Sequence, residues 1–225
     1  MTEGKLTKEE LRDDPVVDAF VRAVTVVRQK ATVIAVILGI IVVGIIAAQL
    51  VRQSGSKAEK EASFVLLDGE GQYLSGNTPE ALRRFLDGAE RFKGAPSGKI
   101  AGLRAADCQL ELGQTEEARR LYEKFLDSSP KDGLLRASAI RGLAKSLEAS
   151  GKGEEAAKKY AEAAEVVDSP LRADDLISAA QIHLQAGRLA EAKALYQKVF
   201  DQFPGSVRLR DAKEGLDRVR ARGGS

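Results

Sequence analysis

From Lys57 onward the chain repeats itself. Four segments share one frame: Gly76 to Ala81 (GNTPEA) followed by Phe85, Gly113 to Ala118 (GQTEEA) followed by Tyr122, Gly151 to Ala156 (GKGEEA) followed by Tyr160, and Gly187 to Ala192 (GRLAEA) followed by Tyr196. The glycines stand 37, 38 and 36 residues apart. Self-similarity at such a period restricts the architecture to stacked units, each burying its apolar face against its neighbours.

The residues within each unit point to two helices. Seven positions before each glycine stands a small residue, Gly69, Ala106, Ala144 and Ala180, which lets neighbouring helices approach closely. After each glycine the apolar positions follow a helical period, as in Ala118, Leu121, Tyr122, Phe125 and Leu126, or Ala192, Leu195, Tyr196, Val199 and Phe200. The glycine supplies the left-handed conformation that ends the first helix, and the hydroxyl of Thr78 or Thr115 is expected to cap the second. Pro79 suits a first helical position. Gly153 and Leu189 offer no side-chain cap at the same place, so those two helices are expected to start less firmly. Prolines follow each unit at Pro96, Pro130, Pro170 and Pro204, of which Pro130 and Pro204 keep strict register. Leu209, Ala212, Leu216 and Val219 mark a last basic helix able to cover the open end of the stack, before a tail at Gly223 to Ser225.

Composition agrees with packed helices. Aromatic residues make up 5% of the chain and Trp is absent, so the core must be built mainly from Ala, Leu and Val. The formal charge is +2, too small to create the field that nucleic-acid binding needs.

A glycine, an alanine five residues on, an aromatic four further, a small residue seven earlier and a later proline together resemble the tetratricopeptide repeat. The resemblance covers roughly residues 57 to 204. Two departures stand out: the period exceeds the usual 34 or so, and the large aromatic early in the first helix is missing. The resemblance implies a tetratricopeptide-like α-solenoid of about four helical hairpins; with the C-terminal capping helix and an N-terminal transmembrane helix read from the residues themselves, the expected fold is all-α.

The membrane segment is read from Ala31 to Val51, an uncharged run in which Gln49 is the one strongly polar side chain. At about 1.5 Å per residue it spans roughly 30 Å, enough to cross a bilayer. A secretory signal peptide has a shorter apolar region nearer the terminus, and Ile46 spoils the small-residue cleavage pattern before Gln49. A buried core helix is the other alternative. Arg22, Arg28 and Lys30 before the run balance Arg52, Lys57 and Lys60 after it, so the positive-inside count is level; the short charged arm is expected in the cytoplasm and the larger domain beyond the membrane. Within the arm, Val16, Val17, Phe20, Val24 and Val27 follow a helical spacing after Pro15, as an interfacial helix or a docking helix would. The expected organisation is a charged arm over 1–30, an anchor over 31–51, a linker over 52–57, repeats over 58–204, and a capping helix with its tail over 205–225.

This layout resembles the bacterial family that contains the ancillary subunit of the SecYEG translocon, whose repeat domain is shared with a periplasmic cell-division coordinator. The resemblance implies a single-pass protein of the bacterial inner membrane with its N-terminus cytoplasmic and its repeats periplasmic. It also implies an accessory role in protein export or chaperone networks, with the translocon, chaperones or exported clients as partners. The alternative is a self-associating scaffold, a homo-oligomer in an envelope assembly or division complex. A mitochondrial import receptor with cytosolic repeats shares the layout.

No catalytic constellation is recognisable. Cys108 and His183, each the sole residue of its kind, lie two repeats apart with no third partner. One cysteine allows no intrachain disulfide and no cysteine-based metal site. Gly69 and Gly71 follow no strand, and Gly39 with Gly44 lacks the lysine of a phosphate loop. Asp174 and Asp175, like Glu154 and Glu155, read as solvated helix starts favoured by the helix dipole. No enzyme, cofactor or nucleic-acid partner is expected. The surface presented by stacked first helices remains, and the repeat frame places Leu103, Asp107 and Leu110, then Arg141, Lys145 and Glu148, then Ile177, Gln181 and Leu184 along one partner-binding groove. Arg141 and Lys145 are its cations, but Asp107 opposes a clamp for a C-terminal carboxylate.

Overall fold

The computed structural model describes the backbone of residues 31–128 and 130–223, with side chains at 41, 43–46, 49, 53–128 and 130–223. The expected arm over 1–30 therefore lies outside the described residues, as do most side chains of the expected anchor over 31–51. Nine helices run through the described residues: α1 Ala31–Leu74, α2 Thr78–Arg91, α3 Pro96–Glu111, α4 Thr115–Asp127, α5 Gly133–Ala149, α6 Gly153–Ala164, α7 Arg172–Gln185, α8 Leu189–Gln202 and α9 Leu209–Gly223. The chain divides into two units, Met1–Ser56 and Lys57–Ser225, and α1 contributes residues to both.

In the first unit Ile41, Val43, Ile45 and Ile46 are exposed. Among the described residues no helix is long and apolar enough to cross a membrane.

The second unit is a succession of hairpins, α1 with α2, α3 with α4, α5 with α6 and α7 with α8, followed by α9. One turn geometry closes all four. Gly76, Gly113, Gly151 and Gly187 have φ between 75° and 77°, the left-handed region where a side chain is strained. Each glycine N–H donates to the carbonyl three residues back, and the next residue's N–H reaches five back, as in Gly113 to Leu110 at 3.1 Å and Gln114 to Gln109 at 2.8 Å. This is the Schellman arrangement, which satisfies the last carbonyls of the first helix.

The residue after the glycine then opens the second helix. Asn77, Gln114, Lys152 and Arg188 occupy the N-cap, and their carbonyls accept from Ala81, Ala118, Ala156 and Ala192 at 2.9 to 3.1 Å. None of these four caps uses a side-chain hydrogen bond. The expected threonine caps are thus corrected: Thr78 and Thr115 are already the first helical residues, one position too late, and the Thr78 hydroxyl instead donates to Glu111 Oε1 at 3.1 Å. Pro79 follows as the second helical residue.

The frame residues form the core. Ala81, Ala118, Ala156 and Ala192 are fully buried, and Phe85, Tyr122, Tyr160 and Tyr196 lie beneath the stack. Aromatic rings press on backbone where glycine stands opposite. A Cβ on Gly69 would lie 2.5 Å from the Phe85 ring, and one on Gly215 would lie 2.3 Å from that of Tyr196. Helix α9 closes the C-terminal end with Ala212 and Val219 buried, Leu209 and Leu216 packed beside them, and Arg222 Nη1 donating to the Leu184 carbonyl at 2.8 Å.

Candidate functional site

A cavity of about 390 Å³ opens along the first helices of three successive hairpins, lined by residues of α1, α3 and α5 together with the rings of Phe85 and Tyr122. Its walls are acidic and basic by turns. Arg104 Nε donates to Glu70 Oε1 at 2.7 Å, and the Tyr122 hydroxyl donates to Asp107 Oδ1 at 2.7 Å. Burial raises the carboxyl of Asp107 above the usual aspartate range, although Tyr122 and Arg104 pull it down. The Tyr73 phenol at the rim is raised chiefly by its hydrogen bond to the Glu111 carboxylate.

The tyrosines of the frame have two roles. The ring of each fills its hairpin, while the hydroxyl of two of them emerges to hold an acidic side chain of the preceding helix. Tyr160 donates to Glu148 Oε2 at 2.9 Å as Tyr122 does to Asp107. Burial and the adjacent carboxylate push both phenols well above the ordinary tyrosine value, so both remain protonated donors.

The expected groove is divided by the structure. Asp107 is half-buried in the cavity wall, and Lys145 is exposed in the same wall. Glu148 and Gln181 are exposed. Leu103, Ile177 and Leu184 are instead buried in the hairpin cores, and Leu110 packs on the core while touching the cavity. Those apolar members support the surface from beneath, because an isolated leucine or isoleucine gains more from burial between helices than from solvent.

Arg141 is committed within the protein. Its Nε donates to Asp175 Oδ1 at 2.6 Å, and its Nη2 donates to Asp175 Oδ2 at 2.7 Å and to Ser169 Oγ at 3.1 Å. Asp175 is 1% exposed, which corrects its reading as a solvated helix start: it joins α7 to α5 through a bidentate buried pair. Asp174, beside it, keeps partial exposure and pairs with Arg208 at 3.0 Å.

Glu70, Tyr73 and Arg104 were missing from the expected groove. The first two occupy the same frame positions as Asp107 and Leu110, six and three residues before the turn glycine, so the repeat itself carried the signal. Arg104 stands three residues before Asp107 on α3 and bridges the two acids, pairing with Glu70 of α1 and, at 3.5 Å, with Asp107. Cys108 also borders the cavity, 1% exposed, with its thiol pushed up to about 11 by burial and then by the nearby Asp107. That thiol is a poor nucleophile. Among the described residues no group of three or more His, Cys, Asp or Glu is placed to hold a metal ion. Paired charges, donors and small apolar surfaces suit reversible recognition of a polypeptide.

Comparison with known folds agrees. The chain resembles a tetratricopeptide repeat protein from Parabacteroides merdae, with a TM-score of 0.59 and 16% identity over 72% of this chain and 61% of that one. It therefore spans less than two thirds of that relative. It also resembles PilW, a type IV pilus biogenesis factor (TM-score 0.57, 22% identity, 68% of this chain and 67% of that one). A third likeness is to BtubC from P. vanneervenii (TM-score 0.59, 16% identity, 76% and 82%). At these identities the likeness is one of fold. No curated protein matches the chain. The model of the tetratricopeptide repeat-like domain matches residues 27–214, and the chain belongs to that family.

Proposed function

We propose that this chain is a membrane-tethered protein-binding module of the bacterial envelope, accessory to protein export or to periplasmic chaperone networks. The repeat domain is a protein-interaction scaffold, and the cavity along α1, α3 and α5 is the surface we assign to the translocon, a chaperone or an exported client. The observation that carries the tether is the pairing of sequence and exposure in the first unit. Ile41, Val43, Ile45 and Ile46 are between 50% and 66% exposed, and at 3.6 residues per turn they spread over more than half the circumference of the helix. A helix apolar on so many sides with no protein cover suits an apolar solvent. The family match begins at residue 27, so it takes in the whole uncharged run from Ala31 to Val51. PilW, a pilus biogenesis factor, supports an envelope setting.

The test is topological. Single cysteines are placed at Thr2 or Gly205 in a Cys108→Ser background and exposed, in intact bacterial cells, to a thiol reagent that cannot cross the inner membrane. Labelling at position 205 alone is expected. Labelling at position 2 alone would overturn the periplasmic placement and leave a cytoplasmic scaffold.

A further inference from the structure

Eleven residues before each turn glycine the first helices carry Val65, Gly102, Ile140 and Leu176. Ile140 and Leu176 are large side chains, each 1% exposed. Gly102 leaves the same place in α3 open. A cavity of about 120 Å³ lies there between the end of α2, the first half of α3 and the second half of α4, walled by Ala89, Gly102, Leu121 and Phe125. The fold does not require a glycine at 102. A Cβ there would meet only Ala89, at an ordinary 3.6 Å, whereas one on Gly98 would lie 2.0 Å from the Phe92 carbonyl oxygen. A glycine inside a helix is destabilising relative to alanine, so Gly102 breaks a local rule with no packing reason, as residues at functional sites do.

Lysines surround the opening. Lys93, Lys99 and Lys124, from three different segments, line it and are exposed, and no acidic residue lines it. Lys93 pairs with Glu90 at 2.7 Å, while Lys99 and Lys124 make no salt bridge among the described residues. The same three frame positions read Pro130, Ala137 and Glu162 at the next junction. At the one after they read Asp168, Ala173 and Lys198, and Lys198 is held by Glu165 at 2.5 Å. The corresponding gap between α4, α5 and α6 mixes Glu123, Asp127 and Glu162 with Arg136 and Lys159. Among the described hairpin junctions, an open apolar slot and a rim of one charge coincide at this one alone.

We propose that this slot binds an acidic segment of a partner protein, one leucine-sized side chain entering between α2 and α4 and the flanking carboxylates meeting the lysines. At about 30 Å³ per water the cavity has room for roughly four waters, enough for one such side chain and too little for a lipid-length acyl chain. Cations on three segments around the rim match carboxylates on both sides of the seated residue, which an acidic segment offers and a single fatty-acid headgroup does not. The slot shares no lining residue with the cavity along α1, α3 and α5. Neither the tether nor the export role enters the assignment.

The full-length chain is titrated, by fluorescence anisotropy, into a fluorescein-labelled peptide Gly-Glu-Asp-Leu-Glu-Asp-Gly. One control peptide carries serine for the leucine, and another carries lysine for every acid. The acidic leucine peptide is expected to bind at least tenfold more tightly than either control. Gly102→Leu supplies the side chain that Leu176 supplies in α7 and is expected to weaken that binding at least tenfold. The double variant Lys99→Glu, Lys124→Glu is expected to do the same. Both positions of the pair are exposed, so this chain folds and carries the test if a thermal melt shows that Gly102→Leu does not. Equal binding of the leucine and serine peptides, tighter binding of the basic one, no binding, or full binding by a folded Gly102→Leu chain would each overturn the proposal. Loss of binding in Lys145→Glu but not in the lysine pair would overturn it too, by placing the peptide in the cavity of the first helices. Octanoate binding more tightly than the peptide would give the slot to a fatty acid, and a dimer dissolved by Gly102→Leu would give it to a second copy; either overturns the assignment.

Discussion

The Tyr122 ring lies directly over Gly142: a Cβ added to that glycine would sit 2.3 Å from the ring carbons. The ring belongs to α4 and the glycine to α5, so this contact joins one hairpin to the next. Since Tyr122 is 1% exposed, it has no room to retreat. Gly142→Ala is expected to destabilise the fold by about 1–3 kcal/mol, as overpacking does. Gly102→Ala is its control, because there a Cβ finds Ala89 at an ordinary 3.6 Å, and removing a helical glycine should stabilise by about 0.5–1 kcal/mol. Urea denaturation of the two variants should move the midpoint in opposite directions.

The turn glycines are open in space but not in conformation. A side chain on Gly113 would meet nothing within 4 Å, yet φ is +76°. Gly113→Ala should therefore cost about 1–2 kcal/mol through backbone strain alone, and Gly113→Asn less, since asparagine tolerates the left-handed region. Thermal unfolding of the three chains would rank them glycine, asparagine, alanine.

Arg141 and Asp175 hold α5 to α7 from within. Asp175→Ala leaves a guanidinium with 13% of its side chain exposed and, among the described residues, only Ser169 as a remaining hydrogen-bond partner. The expected loss is about 3–5 kcal/mol, the cost of breaking a buried pair from one side. Replacing both with apolar residues should cost much less, and a double-mutant cycle by denaturation measures the difference.

Cys108 should be almost inert in the folded chain. With its thiol pushed from 9.0 to about 11, the thiolate at pH 8 is roughly a hundredfold scarcer, and burial slows access further. Labelling with a chromogenic disulfide should be slow in the native protein and immediate in denaturant. The sign of the linkage follows: a raised folded value gives stability that is present below pH 9 and lost as pH rises through about 11. Cys108→Ser is expected to fold, because Ser146 fills the equivalent place in α5 and donates to the Gly142 carbonyl at 3.0 Å.

Lys145 is exposed in the cavity wall and makes no salt bridge among the described residues. Lys145→Glu should weaken client capture while leaving the melting temperature unchanged within a degree or two. Co-purification beside a thermal melt of the same variant checks both halves.

Much of the architecture was legible because the repeat is written in residues with strong local consequences. A glycine that must adopt positive φ, an alanine five positions on and an aromatic after it marked all four hairpins, and each glycine has the expected backbone. The threonine caps were misplaced by one residue, since the Schellman turn makes the residue after the glycine both the end of one helix and the start of the next. No side-chain preference reports that sharing.

The groove was less legible, and the reason is geometric. A helical period tells which residues share a face but not how deeply the neighbouring helix covers it. Leu103, Ile177 and Leu184 occupy the same stripe positions as exposed or half-buried polar residues, and burial separates them. Asp175 shows the same limit: adjacent acids at a helix start look alike in sequence, and only the approach of Arg141 from α5 sends one inward. The sequence by itself determined the number of hairpins, their turns and the aromatic frame, because these depend on backbone conformation and local spacing. The tertiary structure decided which charges pair and which tyrosine hydroxyls hold carboxylates, because these depend on contacts between different helices, 12 or 15 residues apart for the tyrosines and 34 for Arg141 with Asp175 and Arg104 with Glu70.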